Sequence, residues 1–240
     1  MIKKDLTKNR VIIDTPFYQK KIISYGLIVY ALKTKRCIVV QRKHSVEFLI
    51  IICGTYRKSY LIFLLKCITQ QELNRLKIML TLTQEQFNHY LIDIGLDMAD
   101  LNYAYIRFID SYDILYHYVS NYNNNILLHW TWPKGRLNVD DNETGYMCAL
   151  REFEEEVEIK LPDPIYLSPQ YINLDMIKTI NNKLIETRCW LYVVQDEIEL
   201  TPIVNHKEVS QRQWIDLDMA VQLTNNVNIY NELIEHIQNI

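Results

Sequence analysis

The sequence predicts an α/β fold whose sheet is interrupted by a long helical insertion. Three observations point there. Two apolar runs, Ile23 to Leu32 and Cys37 to Gln41, have strand length and are separated by a Lys-Thr-Lys-Arg turn. The middle of the chain then changes to helical spacing, opened by two capping-box signatures, Thr69 with Glu72 and Thr83 with Gln86. Apolar strand-like runs return around Ile126 to Trp132, Thr187 to Val194 and Val209 to Ile215.

Between Phe48 and Leu65, FLIIIC and YLIFLL flank GTYRKS. Arg57 and Lys58 sit at the midpoint and each apolar half is only about six residues, far short of the roughly 20 a membrane span needs. Two buried elements joined by a turn are expected instead. Leu73, Leu76, Met79 and Leu80, then Phe87, Tyr90, Leu91 and Ile94, keep a helical period, and the Tyr-rich stretch from Tyr103 to Tyr118 reads as a further helix. Ile229, Leu233, Ile237 and Ile240 predict an amphipathic closing helix. The division expected is 1–46, an insertion over 47–125, and 126–240.

Composition narrows the class. A chain of 240 residues, 49% of them apolar and with only 5 Gly and 6 Pro, can bury a substantial globular core. A net charge of −3 exerts no global pull on nucleic acid, so RNA binding would rest on local patches. Five cysteines without CxxC spacing read as free thiols in a reducing compartment. The basic MIKKDLTKNR start is followed by no apolar stretch of the secretory kind.

The chemistry concentrates in REFEEE, Arg151 to Glu156. On a helix Glu152, Glu155 and Glu156 share one sector, while Tyr146, Leu150, Phe153 and Val157 form an adjacent apolar stripe. Carboxylates at this spacing repel one another by a few tenths of a kcal/mol per pair, so packing or a bound cation must offset them. An all-oxygen donor set suits Mg²⁺ or Mn²⁺ rather than zinc.

Read from Gly135 through Ile159, the segment resembles the Nudix hydrolase signature G-x5-E-x7-R-E-U-x-E-E-x-G-U, with Glu143, Arg151, Glu152, Phe153, Glu155, Glu156 and Ile159 at motif positions. Two departures are visible. The Gly135 to Glu143 loop is two residues longer than the usual spacing, and Glu158 stands where the pattern has a helix-ending glycine. A left-handed glutamate there costs roughly 1 kcal/mol. The resemblance implies a Nudix α/β/α sandwich with a mixed sheet and an inserted helical domain. QRKHSVEFLIIICGTY, LLHWTWPKGR, CALREFEEE and EVSQRQW are similar to segments of the mRNA-decapping Nudix enzymes of poxviruses and African swine fever virus.

That likeness implies a hydrolase cutting the triphosphate bridge of capped mRNA to a methylated guanosine diphosphate and 5′-monophosphate RNA, acting in host shutoff in the cytoplasm of an infected cell. It implies metal ligation by the Gly135 carbonyl, Glu152, Glu155 and Glu156, orientation of these by Arg151, a structural Glu143, and Glu208 as base or extra ligand. A cationic methylated base is held best between aromatic rings. Phe48, Tyr56, Tyr171 and Trp190, with Trp130 and Trp132 behind them, are the aromatic candidates. Arg57, Lys58, Arg75, Lys77, Arg107, Lys134 and Arg136 are the basic candidates for RNA, although Asp93, Asp97, Asp100, Asp110 and Asp113 counter them. No membrane contact is implied, and a homodimer is left open. A hydrolase of diphosphoinositol polyphosphates or nucleoside diphosphate derivatives is the alternative, and a catalytically silent RNA-binding module the second; such modules usually lose signature carboxylates, which persist here.

Overall fold

The computed structural model describes residues 3–4, 11–12, 21–96, 101–138, 142–174, 177–178, 184–203 and 206–240; Asp97 and Asp100 therefore lie outside the described residues. In chain order the strands are β1 (Lys3–Lys4), β2 (Val11–Ile12), β3 (Lys21–Ala31), β4 (Arg36–Arg42), β5 (Trp130–Thr131), β6 (Lys134–Gly135), β7 (Tyr166–Leu167), β8 (Ile172–Asn173), β9 (Ile177–Lys178), β10 (Leu184–Val194) and β11 (Val209–Asp216). The α-helices are α1 (Val46–Ile52), α2 (Leu61–Cys67), α3 (Gln70–Met79), α4 (Gln84–Asp93), α5 (Leu101–Ile109), α6 (Tyr112–Asn121), α7 (Gly145–Val157), α8 (Leu217–Leu223) and α9 (Tyr230–Gln238).

The main sheet runs β11-β4-β3-β10-β7 and is mixed, because β10 pairs with β3 in parallel while β4, β11 and β7 are antiparallel to their neighbours. Strand alternation divides its two faces. Leu27, Val29, Ile38, Val40, Tyr192 and Val194 point to one side and bury Ala149, Phe153 and Val157 of α7. Ile28, Tyr30, Val39, Leu191 and Val193 point to the other and bury α8 and α9 through Leu217, Ala220, Val221 and Leu233. This is the expected α/β/α sandwich.

The β3–β4 hairpin diverges after its turn. β3 meets β4 only at Tyr30–Cys37 and Ala31–Arg36, then pairs with β6 at Tyr25 and Gly26, while β4 pairs with β5 at Val40 and Gln41. Residues 130–135 fill the fork and bring Gly135 beneath α7. The strand expected over Ile126 to Trp132 is only Trp130–Thr131, where it pairs with β4, and pairing resumes on β3 at Lys134–Gly135.

Between β4 and β5 lie α1 to α6, with a hydrophobic core of their own from Phe48, Ile51 and Leu61 through Phe87, Phe108 and Leu115. Helices of this length are marginal alone in water, so this shared core holds them, each fully buried Leu, Ile or Phe contributing about 1.5–3 kcal/mol. Both capping boxes form. Buried Glu72 accepts from the Thr69 amide at 2.8 Å, the Ser45 amide at 2.6 Å and Ser45 Oγ at 3.0 Å, so one carboxylate ties the starts of α1 and α3 together. The single helix expected over Tyr103 to Tyr118 is two, α5 and α6. They break at Asp110–Ser111, where buried Ser111 accepts the Tyr56 hydroxyl at 2.8 Å. No helix among the described residues is long and apolar enough to cross a membrane.

Candidate active site

Helix α7 starts at Thr144, whose Oγ1 accepts the Met147 amide at 3.2 Å, and its apolar stripe packs on the sheet through Phe153 and Val157. The three signature glutamates consequently emerge at different depths. Glu156 is buried, Glu152 partly buried, and the Glu155 side chain 59% exposed. Glu152 lies directly on Gly135, where an added Cβ would sit 1.9 Å from its Cδ, so only glycine leaves room. The Gly135 carbonyl accepts from Ser24 Oγ at 3.0 Å.

Arg151 ties this face together. Its Nε donates to Glu143 Oε1 at 2.8 Å, Nη1 donates to Glu152 Oε1 at 2.9 Å and Glu155 Oε2 at 3.0 Å, and Nη2 donates to the Arg136 carbonyl at 2.8 Å. Glu143 also accepts the Asn138 amide at 2.9 Å and is structural. The bonds to Arg151 hold its carboxyl below the usual range. Burial pushes the Glu156 carboxyl up to about 7, against the pull of Lys134 and Arg42, and its Oε2 accepts the Lys134 amide at 2.9 Å. Desolvation, reinforced by Arg42, pushes the Lys134 ammonium down to about 8. Burial likewise raises Glu152.

A cavity of about 350 Å³ opens beside these residues, lined by Glu152, Glu155, Glu156, Glu158, His206, Lys207 and Glu208. The structure therefore brings Glu208 to the signature glutamates across 52 residues of chain. Among the described residues no group of three or more His, Cys, Asp or Glu side chains is arranged as it stands to hold a metal ion. The reason is local: Glu152 and Glu155 turn to Arg151, and Glu156 to the Lys134 amide. The donor set still fits a hard divalent cation in kind. It is all oxygen, it crowds one wall of a cavity, and its buried member is under-neutralised.

Other nominated residues fare differently. Phe48 is fully buried in the helical core, under His44, and Tyr56 is buried with its hydroxyl bonded to Ser111 and the Arg107 carbonyl; neither ring can sandwich a base, and both are corrected to core residues. Trp132 is fully buried as well, and Trp130 partly. Trp190 and Tyr171 do meet at the surface, edge to face at 5.8 Å, with Tyr25 stacked on Trp190 at 6.2 Å. One face of Tyr171 is already covered by Arg188, 4.6 Å from its centroid.

Among the basics, Arg107 is a structural clamp, donating to the carbonyls of Gly54 and Tyr56. Arg75 donates to buried His44 at 3.0 Å, and Lys58 pairs with Asp110 at 2.8 Å. Arg75 and Arg107 are thereby corrected from ligand contacts to internal ones, whereas Lys58 stays exposed with its charge paired. Lys134 Nζ donates to Thr131 Oγ1 at 2.8 Å, whereas Arg57, Lys77 and Arg136 are exposed. Sequence reasoning missed His206, Lys207 and Arg42, whose spacing from REFEEE carries no signal.

A family model described as the NUDIX domain matches residues 117–237. The chain belongs to the Nudix family. Nudix hydrolases act on phosphoanhydride bonds and generally use divalent metals. Solved structures similar to this one include the NUDIX domain of Shewanella oneidensis NrtR complexed with ADP ribose, at 11% identity, 94% coverage of each chain and a TM-score of 0.43. A C. elegans Ap4A hydrolase is 11% identical over 90% of this chain and 99% of its own, with a TM-score of 0.40. E. coli dihydroneopterin triphosphate pyrophosphohydrolase is 14% identical over 91% and 98%, with a TM-score of 0.42. At that distance none of them bears on the substrate of this Nudix chain. Comparison with curated protein sequences finds no match.

Proposed function

We propose that this Nudix chain is a metal-dependent hydrolase of capped mRNA that splits the triphosphate bridge into a methylated guanosine diphosphate and 5′-monophosphate RNA. One observation carries the preference for a long substrate. Gly95, at the end of α4 with φ +81°, lies so close to Lys207 that an added Cβ would meet its Cδ at 3.0 Å, and Lys207 lines the carboxylate cavity. The helical unit thus reaches the rim of the site, where the body of a polymer leaving the cavity would meet it.

Glu152, Glu155, Glu156 and the Gly135 carbonyl would hold Mg²⁺ or Mn²⁺. Such an ion, when bound, neutralises charge on the phosphate oxygens and lowers the pKa of an attacking water. Arg151 bonds one oxygen of each of Glu152 and Glu155 at the cavity wall, which would leave the other oxygen of each for the ion and fix the carboxylates' orientation. Among the described residues the Glu208 carboxylate makes no hydrogen bond or ion pair, which leaves it able to take a proton from that water. Trp190 and Tyr171, at the surface of the α7 face, are the remaining aromatic candidates for the methylated base. The test is product analysis on cap-labelled RNA: release of the methylated diphosphate supports the reading, and intact cap at saturating Mn²⁺ removes it.

A second reading has its own support. Arg75 and Arg107 are engaged internally and Lys58 is paired with Asp110, which reduces the unpaired basic surface on α1 to α6 open to RNA. A hydrolase of diphosphoinositol polyphosphates or nucleoside diphosphate derivatives needs no such surface. Faster turnover of those substrates than of capped RNA would favour it.

A further inference from the structure

Helix α7 ends without the residue type its geometry favours. Glu158 follows the helix at φ 53° and ψ 34°, a left-handed conformation in which a side chain's Cβ crowds the backbone. Arg212 of β11 lies against this turn. Its buried Nη1 donates to the Val157 carbonyl and to Glu158 Oε2 at 3.0 Å, while Nη2 donates to the Thr201 carbonyl at 2.8 Å and Thr201 Oγ1 at 3.0 Å. The Nε of Arg212 is buried with no hydrogen-bond partner among the described residues. His206 works from the same side. It accepts the Glu208 and Val209 amides at Nδ1, at 3.1 and 2.8 Å, which leaves Nε2 to donate to the Glu155 carbonyl at 2.9 Å. Carbonyls of the last helical turn lack intrahelical amides ahead of them. Here side chains outside the helix supply donors to two of them.

We propose that Arg212 is a positioning residue: by holding Val157 and Glu158 it fixes the last turn of α7, and with it the Glu155 and Glu156 carboxylates, against the loop that carries Glu208. The proposal rests on the reading that these carboxylates hold a divalent metal. A glycine at 158 adopts the left-handed turn without crowding, so it should make the clamp dispensable. A lysine at 212 cannot replace the fork, since one ammonium cannot reach both the helix end and Thr201 in the same geometry.

The experiment titrates Mn²⁺ by electron paramagnetic resonance into the full-length protein and its Arg212→Ala, Arg212→Lys and Arg212→Ala/Glu158→Gly variants. Amide exchange across α7, melting temperature, and kcat and KM on capped RNA are measured alongside. Arg212→Ala is expected to weaken Mn²⁺ binding at least ~10-fold and to lower kcat with little change in KM. Arg212→Lys should behave similarly, and Glu158→Gly in the alanine background should restore Mn²⁺ affinity to within ~3-fold of wild type. Unchanged Mn²⁺ affinity in folded Arg212→Ala overturns the proposal. So does a double variant that regains melting temperature and not Mn²⁺ affinity, which would make Arg212 a stabilising residue only. If Arg212→Ala does not fold, Arg212→Lys and the double variant decide by the same criteria. A wild type that binds Mn²⁺ and cleaves no phosphoanhydride overturns the hydrolase reading, while the Mn²⁺ series still decides the role of Arg212.

Discussion

The Glu156 carboxyl is buried between α7 and Lys134, and its pKa of about 7 against an ordinary 4.5 makes the metal-free protein sensitive to pH. Below about pH 4.5 both folded and unfolded chains hold this proton. Between 4.5 and 7 the folded chain keeps a proton that the unfolded one releases, so stability is lost as pH rises through that window. The effect is on the order of 1–3 kcal/mol. The melting temperature of chelator-treated protein should therefore fall from pH 5 to pH 7.5, and the difference between wild type and Glu156→Gln should vanish at the acid end. A difference independent of pH would show that Glu156 does not titrate there. Divalent metal favours the charged carboxylate, so Mn²⁺ should raise the melting temperature more at pH 8 than at pH 6. Catalysis gives a separate readout: Glu155→Gln and Glu156→Gln should each lower the chemical rate at least ~10²-fold with the fold intact. Near-wild-type turnover by either folded variant would remove it from the metal-binding set.

Individual elements show where local sequence was informative. Thr69 and Thr83 start helices because a hydroxyl oxygen three residues before an amide is a local arrangement, which Thr144 repeats without the reciprocal Glu or Gln that made the other two legible; the left-handed end at Glu158 was legible only through the glycine that the Nudix pattern has there. Partners distant in sequence were invisible. Nothing near Arg107 announces that it closes on Gly54 and Tyr56, and the fork that accepts residues 130–135 exists only once β3 and β4 diverge. The seven residues of α8 were equally illegible, being too few to show a period. Phe48 illustrates the ambiguity best, since an aromatic ring looks the same in sequence whether it stacks on a ligand or on His44. Phe48→Ala should cost about 3–5 kcal/mol, a large-to-small core substitution, and leave the preference for methylated over unmethylated cap unchanged. Denaturant unfolding beside competition between the two caps checks both halves, and lost discrimination in a protein of wild-type stability would return Phe48 to the ligand.

Across the molecule, the helical unit keeps a core of its own beside the two that cover the faces of the sheet, and it reaches the rim of one cavity. The sandwich supplies the carboxylates, and the helical unit touches their rim through Gly95 against Lys207. If capped RNA is the substrate, that unit should make long RNA better than a cap dinucleotide, and phosphate contacts should make the advantage shrink as salt rises. Arg75 and Arg107 are unsuitable probes, because removing either disturbs internal bonds. Arg57 and Lys77 are exposed, so Arg57→Ala/Lys77→Ala tests the surface without breaking the fold. The expected outcome is a KM for long capped RNA raised roughly 3- to 10-fold, with a shallower salt dependence and unaltered cleavage of the dinucleotide. Equal efficiency of the wild type on dinucleotide and long RNA would show that the helical unit does not hold the RNA body. A long-RNA advantage that persists, salt slope included, in the double variant would place the phosphate contacts on other residues, with exposed Arg136 beside Gly135 the next to replace.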